Sequence, residues 1–562
     1  MAERVGRGGG GYGGGRAATS LAGMEVSGET EIVKVSASDA AELPAGCGRF
    51  GALKVRRQVH PVAFRRRDYW DEPFVLKVVR EAAVALHDSD FLDDWRLAEE
   101  AIERQLDGWP LLHPGVRRFC AHAVEMYLQA HDVLAAETGP LRFDGYDPET
   151  GGPRDNRRLT VFAPVYSDGQ GLFEVRRMRF GSARRDDGDA WAPVAAQVLA
   201  ARASRVRVVE VGLKDGSTTV VFDGTAQEAR TAYTGAPRAA VTGVVAGSSV
   251  EPGRQCGGCK AAGCCDGPVP LAGHLGQAAP GLKTRSVSAS DLETYRTCPA
   301  QWYLRQSNVP LEWDEGPASN RGRLVHRWLR TAHARGVACS PGDLPPPGPG
   351  AGGVGGLADD EYAIAHPYLA GHLADCPVGP GVTVVLLDEP LYGYDMDADV
   401  VVAARPDLMF LDADGVPVLR ETKTTDAALP QDEPDAWDRW FQVPWNIGLL
   451  ASGAVARLGS GEPAVLEVEV LTPLGSRTYT WRLDEPGVVA MAQAEVAHRA
   501  DAWHVDRTWA ATPGKQCGWC PARRWCPDAA DPDATPTGPA PVDTPSTAAA
   551  PQGWDTDDEP PF

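Results

Sequence analysis

The chain has 562 residues, which at roughly 150 residues per domain allows three to four domains, and 43% of them are hydrophobic, so a large core is available. Mean hydropathy is −0.26 and no apolar run approaches the ~20 residues a bilayer requires, which excludes a membrane protein. The formal net charge of −21 argues, at face value, against a nucleic-acid partner, because phosphate binding needs Lys and Arg.

Residues 1–30 are Gly-rich and are expected to be a disordered leader. They lack the apolar stretch and cleavage site of a secretory signal, so a cytoplasmic protein is expected. In a reducing compartment the 12 cysteines are thiols, and spaced thiols are more often metal or cluster ligands than disulfides. The string VSASD follows at 35–39, then Cys47 within GCGRFGALKVR. Between Arg49 and Arg67 stand seven basic residues and no acidic one, and between Arg154 and Arg185 eight arginines face only Asp155, Asp168 and Glu174. Each block is either a solvated face or an electrostatic footprint for a phosphate backbone.

The segment PGRQCGGCKAAGCC then carries Cys256, Cys259 and Cys265. VSASD recurs at 287–291, Cys298 follows in YRTCPAQWYLR, and PGKQCGWCPARRWC carries Cys517, Cys520 and Cys526. Both clusters read C-x2-C-x5-C, and they lie 209 and 219 residues beyond Cys47 and Cys298. Two tandem copies of one domain account for this: 31–268 and 284–530, joined by a linker at 269–283 and followed by a disordered acidic tail at 531–562.

In the second copy the patterning predicts a helix over 324–334, an unstructured loop PPPGPGAGGVGG at 345–356, and strands at 382–387 and 400–404. A hairpin of 408–411 and 416–422 turns at Asp412-Ala-Asp-Gly415. A helix over 437–452, strands at 465–471 and 478–483 and a helix over 488–503 complete an α-β-β-β-α-β order. Asp407 opens one hairpin strand. Glu421 and Lys423, two residues apart on the other, share a face. Two carboxylates there would hold a hard divalent cation, and the lysine would position or deprotonate a water for attack on a phosphodiester.

The ordered set VSASDLETYRTCPAQWYLR, GRLVH at 322–326, Asp407, Glu421-Thr422-Lys423, Gln442 and the cysteine triplet resembles the PD-(D/E)XK nuclease superfamily. The similarity is to its RecB-like, AddB-type branch with an iron-sulfur cluster, which includes the CRISPR adaptation nucleases. The resemblance implies an α/β fold of two tandem restriction-endonuclease-like domains, each stapled by a four-cysteine site. It implies Mg2+ or Mn2+ held by His326, Asp407, Glu421 and the Thr422 carbonyl, with Lys423 catalytic and Gln442 binding substrate. Asn446 stands where the family usually has a Tyr, with Pro444 in between. Cys298, Cys517, Cys520 and Cys526 resemble the [4Fe-4S] ligands; zinc is the alternative that spacing leaves open.

In the first copy Cys47, Cys256, Cys259 and Cys265, with Cys264 as a substitute, would bind a second cluster or Zn2+. Its nuclease residues are missing. Aligning the Asp-Gly turns sets Val175 and Arg177 against Glu421 and Lys423, a slide of one gives Glu174 and Arg176, and Asp407 falls near Val161. The first copy therefore reads as a degenerate nuclease domain. Arg176, Arg177 and Arg179 are either DNA contacts or part of a half that merely packs.

From Pro527 to Phe562 there are eight acidic and no basic residues, so 8 of the 21 excess charges lie in the tail. Its end, with Asp557, Asp558, Glu559, Pro560, Pro561 and Phe562, resembles the tip of bacterial single-stranded-DNA-binding protein, which docks into basic, apolar-floored pockets of repair and replication proteins. The expected function is a metal-dependent DNA nuclease acting on single strands, ends or flaps in repair, recombination or defence against foreign DNA. The alternative is a non-catalytic DNA-binding or recruitment adaptor. No Walker A motif is present, so a helicase partner would be a separate chain.

Overall fold

In the computed structural model, which describes residues 19–62, 74–86, 95–151, 156–277, 285–313, 316–349, 355–454 and 463–530, the repeated VSASD is a helix start used twice. Ser36 Oγ accepts from the Asp39 N–H at 3.0 Å while Asp39 Oδ2 accepts from the Ser36 N–H at 2.9 Å, a reciprocal cap on the helix Ala37–Glu42. Ser288 and Asp291 cap Ala289–Thr297 in the same way. Each capped helix follows a short strand with a parallel partner: Val33–Ser36 beside Arg157–Thr160, and Arg285–Val287 beside Val400–Ala404.

The architecture is mixed α/β, as expected. Two five-stranded sheets have the same order. One runs Arg142–Tyr146, Pro164–Ser167, Leu172–Arg179, Arg205–Gly212, Thr218–Thr225; the other runs Thr383–Leu387, Leu408–Leu411, Pro417–Thr424, Val465–Thr472, Gly475–Arg482. In both, only the third and fourth strands are parallel. A parallel pair needs a crossover, supplied by Trp191–Leu199 in one and by a segment that includes Gln442–Leu449 in the other.

The strands expected at 400–404 and 408–411 form as Val400–Ala404 and Leu408–Leu411. The helix expected over 437–452 divides into Glu433–Arg439 and Gln442–Leu449. Pro444 lies in the first turn of the second piece, where its missing N–H has no helical partner to lose. The helix Asp359–Asp375 was not anticipated, because Pro367 interrupts its pattern; nor was the strand Leu391–Asp395, which contains Gly393.

Two boundaries are corrected. The leader expected over 1–30 ends in a hairpin of Thr19–Leu21 and Met24–Ser27, where alternation in the second strand buries Met24 and Val26; residues 1–18 lie outside the described residues. The linker expected over 269–283 is structural at its start. Val269–Leu271 adds in parallel to Leu391–Asp395, and the Leu275 N–H donates to Asp395 Oδ2 at 2.7 Å. His274 is fully buried, edge-on to Trp445 at 4.6 Å, and Gly448 leaves the room for it, since a Cβ there would lie 2.9 Å from His274 Nδ1. Residues 278–284, 350–354 of the Pro/Gly loop, and the tail from 531 lie outside the described residues.

The halves share their cores. Phe119 and Tyr127, on the helix Pro114–Thr138, belong to one apolar cluster with Leu304, Trp445, Trp503 and Trp525. Phe119 meets Trp525 edge-on at 5.1 Å, and His113 Nε2 lies 3.1 Å from the Trp509 carbonyl. In the other direction, Tyr394 and Val401 join the cluster that contains Cys47 and Cys256. Each cysteine segment thus packs against the opposite half.

Candidate active site

Glu421 and Lys423 leave the same face of the strand Pro417–Thr424, and Lys423 Nζ donates to Glu421 Oε1 at 2.8 Å. Asp407 precedes the neighbouring strand Leu408–Leu411, and its Oδ2 accepts from the Thr422 N–H at 2.7 Å. His326, on the helix Pro317–His333, completes the group with Nδ1 2.8 Å from Asp407 Oδ1. These four side chains keep only 12% to 17% of their exposure, so the charges meet largely enclosed, beside a cleft lined by His326, Asp407 and Thr422.

Burial opposes charge on each member, and the partners decide the outcome. Asp407 is pushed up by burial but pulled further down by His326 and the Thr422 N–H, and ends below the usual carboxylate range. Glu421 ends above it, because burial and the nearby Asp407 outweigh Lys423. His326 and Lys423 are both raised: burial lowers them, but Asp407 and Glu421, respectively, more than compensate. Two crowded carboxylates, one of them resisting ionisation, with an imidazole alongside, suit a hard divalent cation.

Residues 286–527 match the family model of the PD-(D/E)XK nuclease superfamily. Nucleases of this superfamily use divalent metals, and the match identifies the second half as a nuclease-superfamily domain. No match to a curated protein was found. Among the described residues, no helix is long and apolar enough to cross a membrane.

Beside these four side chains, the Gln442 side chain donates to Glu293 Oε2 at 3.1 Å. Sequence reasoning missed Glu293, whose acid is raised by burial against the opposing pull of Lys423. The available signal was a carboxylate between the buried Leu292 and Thr294 on the capped helix. Thr422 turns its hydroxyl to the opposite face, 3.4 Å from Glu469 Oε2. Asn446, one turn beyond Gln442, is buried.

The first half is matched by geometry. Asp168 Oδ1 accepts from the Gln170 and Leu172 N–H groups as Asp412 Oδ1 does from those of Asp414 and Val416. Asp168 therefore corresponds to Asp412, not to Asp414, and the pairings Val165 with Val175 and Met409 with Leu419 agree. The alignment expected from the Asp-Gly turns is corrected by two residues: Arg177 and Arg179 stand at Glu421 and Lys423, and Ala163 at Asp407. The Asp147 N–H donates to the Ala163 carbonyl as the Asp388 N–H does to that of Asp407. Arg80 reaches Asp147 at 2.6 Å and Arg330 reaches Asp388 at 2.9 Å, which puts Leu76 where His326 stands.

Arg176, Arg177 and Arg179 are not presented to a phosphate backbone, and that expectation is corrected. Arg176 is 2% exposed, with Nε 2.6 Å from Glu174 Oε1. Arg177 and Arg179 both bind Asp189 and Glu210, the latter pair including a contact of 2.6 Å from Arg179. These guanidinium groups neutralise buried acids. In the other basic block, Arg49 pairs with Asp266, Lys54 with Asp39, and Arg56 donates to backbone carbonyls; Arg65, Arg66 and Arg67 lie outside the described residues.

Cys298, Cys517, Cys520 and Cys526 line one cavity with Leu304, Ala511 and Pro513. The Thr512 N–H donates to Cys298 Sγ at 3.4 Å. In the first half, burial pushes the Cys256 and Cys259 thiols up to about 11 and about 12, with the charges of Cys47 and Cys265 contributing. N–H groups of Gly253 and Ala261 point at Cys256 and Cys259 Sγ. Both triplets adopt the same pair of short 3-10 turns, Arg254–Gly258 with Ala262–Cys264 and Lys515–Trp519 with Arg523–Trp525.

Proposed function

We propose that this chain is a metal-dependent DNA nuclease whose centre is His326, Asp407, Glu421 and Lys423, acting on single strands, ends or flaps in repair, recombination or defence. The observation that carries this reading is the convergence of those four side chains in one group. Asp407, Glu421, His326 and the Thr422 carbonyl would hold Mg2+ or Mn2+, which supplies Lewis-acid stabilisation of phosphate charge and an activated water. Lys423, an ammonium held by Glu421, positions the attacking water and neutralises charge gathering on the phosphate. Gln442, oriented by Glu293, contacts the substrate backbone.

The common sheet order, caps and cysteine turns support two copies of one domain, of which the first has exchanged its metal ligands for internal ion pairs. N–H donors aimed at clustered thiols support a [4Fe-4S] cluster on Cys298, Cys517, Cys520 and Cys526, and a second cluster, or Zn2+, on Cys47, Cys256, Cys259 and Cys265. The tip ending in Phe562 would recruit the chain to repair proteins that recognise the single-stranded-DNA-binding protein. The deciding experiment incubates labelled single-stranded DNA with Mg2+ or Mn2+ under anaerobic conditions. Wild type should cleave and Lys423→Ala should not; DNA left equally intact by both would support an adaptor instead.

A further inference from the structure

The helix that carries His326 at its middle ends at His333, and there a second group of donors converges that takes no part in the first. His333, Cys339, His372 and Cys376 offer ligand atoms that all lie within 4.8 Å of one another. They come from three places: the end of Pro317–His333, the loop beyond it, and the last turn and exit of Asp359–Asp375. His333 is 5% exposed, Cys339 7% and His372 0%.

We propose that these four residues form a structural zinc site. A tetrahedral zinc, with Zn–N of about 2.0–2.1 Å and Zn–S of about 2.3 Å, spaces its ligand atoms by about 3.3–3.8 Å. The two imidazole nitrogens, His333 Nε2 and His372 Nε2, face each other at 3.0 Å, and Cys376 Sγ lies 3.7 Å from His333 Nε2. His372 Nδ1 lies 2.7 Å from Glu469 Oε1, a fully buried carboxylate. That contact keeps the proton on Nδ1 and leaves the Nε2 lone pair aimed at the cluster, the arrangement in which a carboxylate orients a metal-bound histidine. Two thiolates with two imidazoles are a borderline-soft donor set, which selects zinc over the hard cation of the catalytic cleft.

The site ties both helices to the sheet behind the catalytic strand. Glu469 accepts from the Thr422 hydroxyl at 3.4 Å, and the Thr422 N–H holds Asp407. Among the described residues the first half shows no counterpart: the match of Arg80 with Arg330 puts the buried Ala83 where His333 stands. The device therefore belongs to the half that keeps its nuclease residues, although the zinc assignment stands without the activity.

The test is metal analysis of the full chain, purified anaerobically under reducing conditions, as wild type and as Cys339→Ser/Cys376→Ser. Wild type should contain one more zinc per chain than the variant, with iron content unchanged between them. Zinc-edge X-ray absorption of wild type needs no variant to fold and should show imidazole scattering, which the all-cysteine sites cannot supply. Equal zinc in both proteins, or a wild-type zinc shell without histidine, would overturn the assignment.

Discussion

Arg177 occupies in the first half the strand position that Glu421 occupies in the second. A cation thus stands where the superfamily domain has an anion, and Asp189 and Glu210 close around it. Arg177 and Arg179 are held by acids inside the first half. Arg179→Ala should then destabilise the protein by about 3 kcal/mol, because it strips a partner from the buried Glu210. Calorimetry should show a lower midpoint, with Mg2+-dependent cleavage at low temperature retained.

All cleavage should depend on the second half. Lys423→Ala should lower the cleavage rate on the order of 10²–10⁴-fold. Glu421→Gln should do the same and weaken the response to added Mg2+. Both follow from gel assays with end-labelled DNA, and circular dichroism should show an unchanged fold.

His274 gives a pH signature. Burial pushes its imidazole down to about 4. Between that value and the ordinary ~6.5, the unfolded chain binds a proton that the folded one refuses, so stability falls as pH drops through this window. At pH 5 the loss should be about 2 kcal/mol. His274→Phe keeps a ring against Trp445 and removes the titration. The difference in melting temperature between neutral and mildly acidic buffer should shrink in this variant.

Cys298→Ser should abolish the cluster of the second half. Iron should fall by about four per chain. Because Trp525 and Cys526 pack on the core shared with Phe119, limited proteolysis should reach both halves, not the second alone.

Deleting residues 554–562 should leave cleavage of naked DNA unchanged. It should abolish pull-down of proteins that bind the tip of the single-stranded-DNA-binding protein. Unchanged recovery would remove the recruitment role.

Much of the nuclease-superfamily domain was legible because its residues lie within short strings whose spacing carries geometry: Glu421 and Lys423 by the period of a strand, Ser288 and Asp291 by that of a cap. Glu293 was illegible because its significance lies in Lys423 and Gln442, far along the chain. The zinc ligands escaped for a similar reason, since His333, Cys339, His372 and Cys376 form no compact motif. The pairing of Arg49, Arg177 and Arg179 was illegible because the acids that neutralise them, Glu210 and Asp266 among them, come from other segments. The Asp-Gly turn misaligned the halves because Asp412, which makes the turn's hydrogen bonds, is followed by Ala413.

The contact of Phe119 with Trp525 joins residues some 400 positions apart. Contacts of such separation form late, since the loop they close must be complete before they are made. During synthesis, the helix Pro114–Thr138 leaves the ribosome long before the segment that covers it. The part of its apolar face that Phe119 contributes stays uncovered until the last cysteine turn has emerged, so the order of translation makes the C-terminal segment the piece that seals the first half as well as its own.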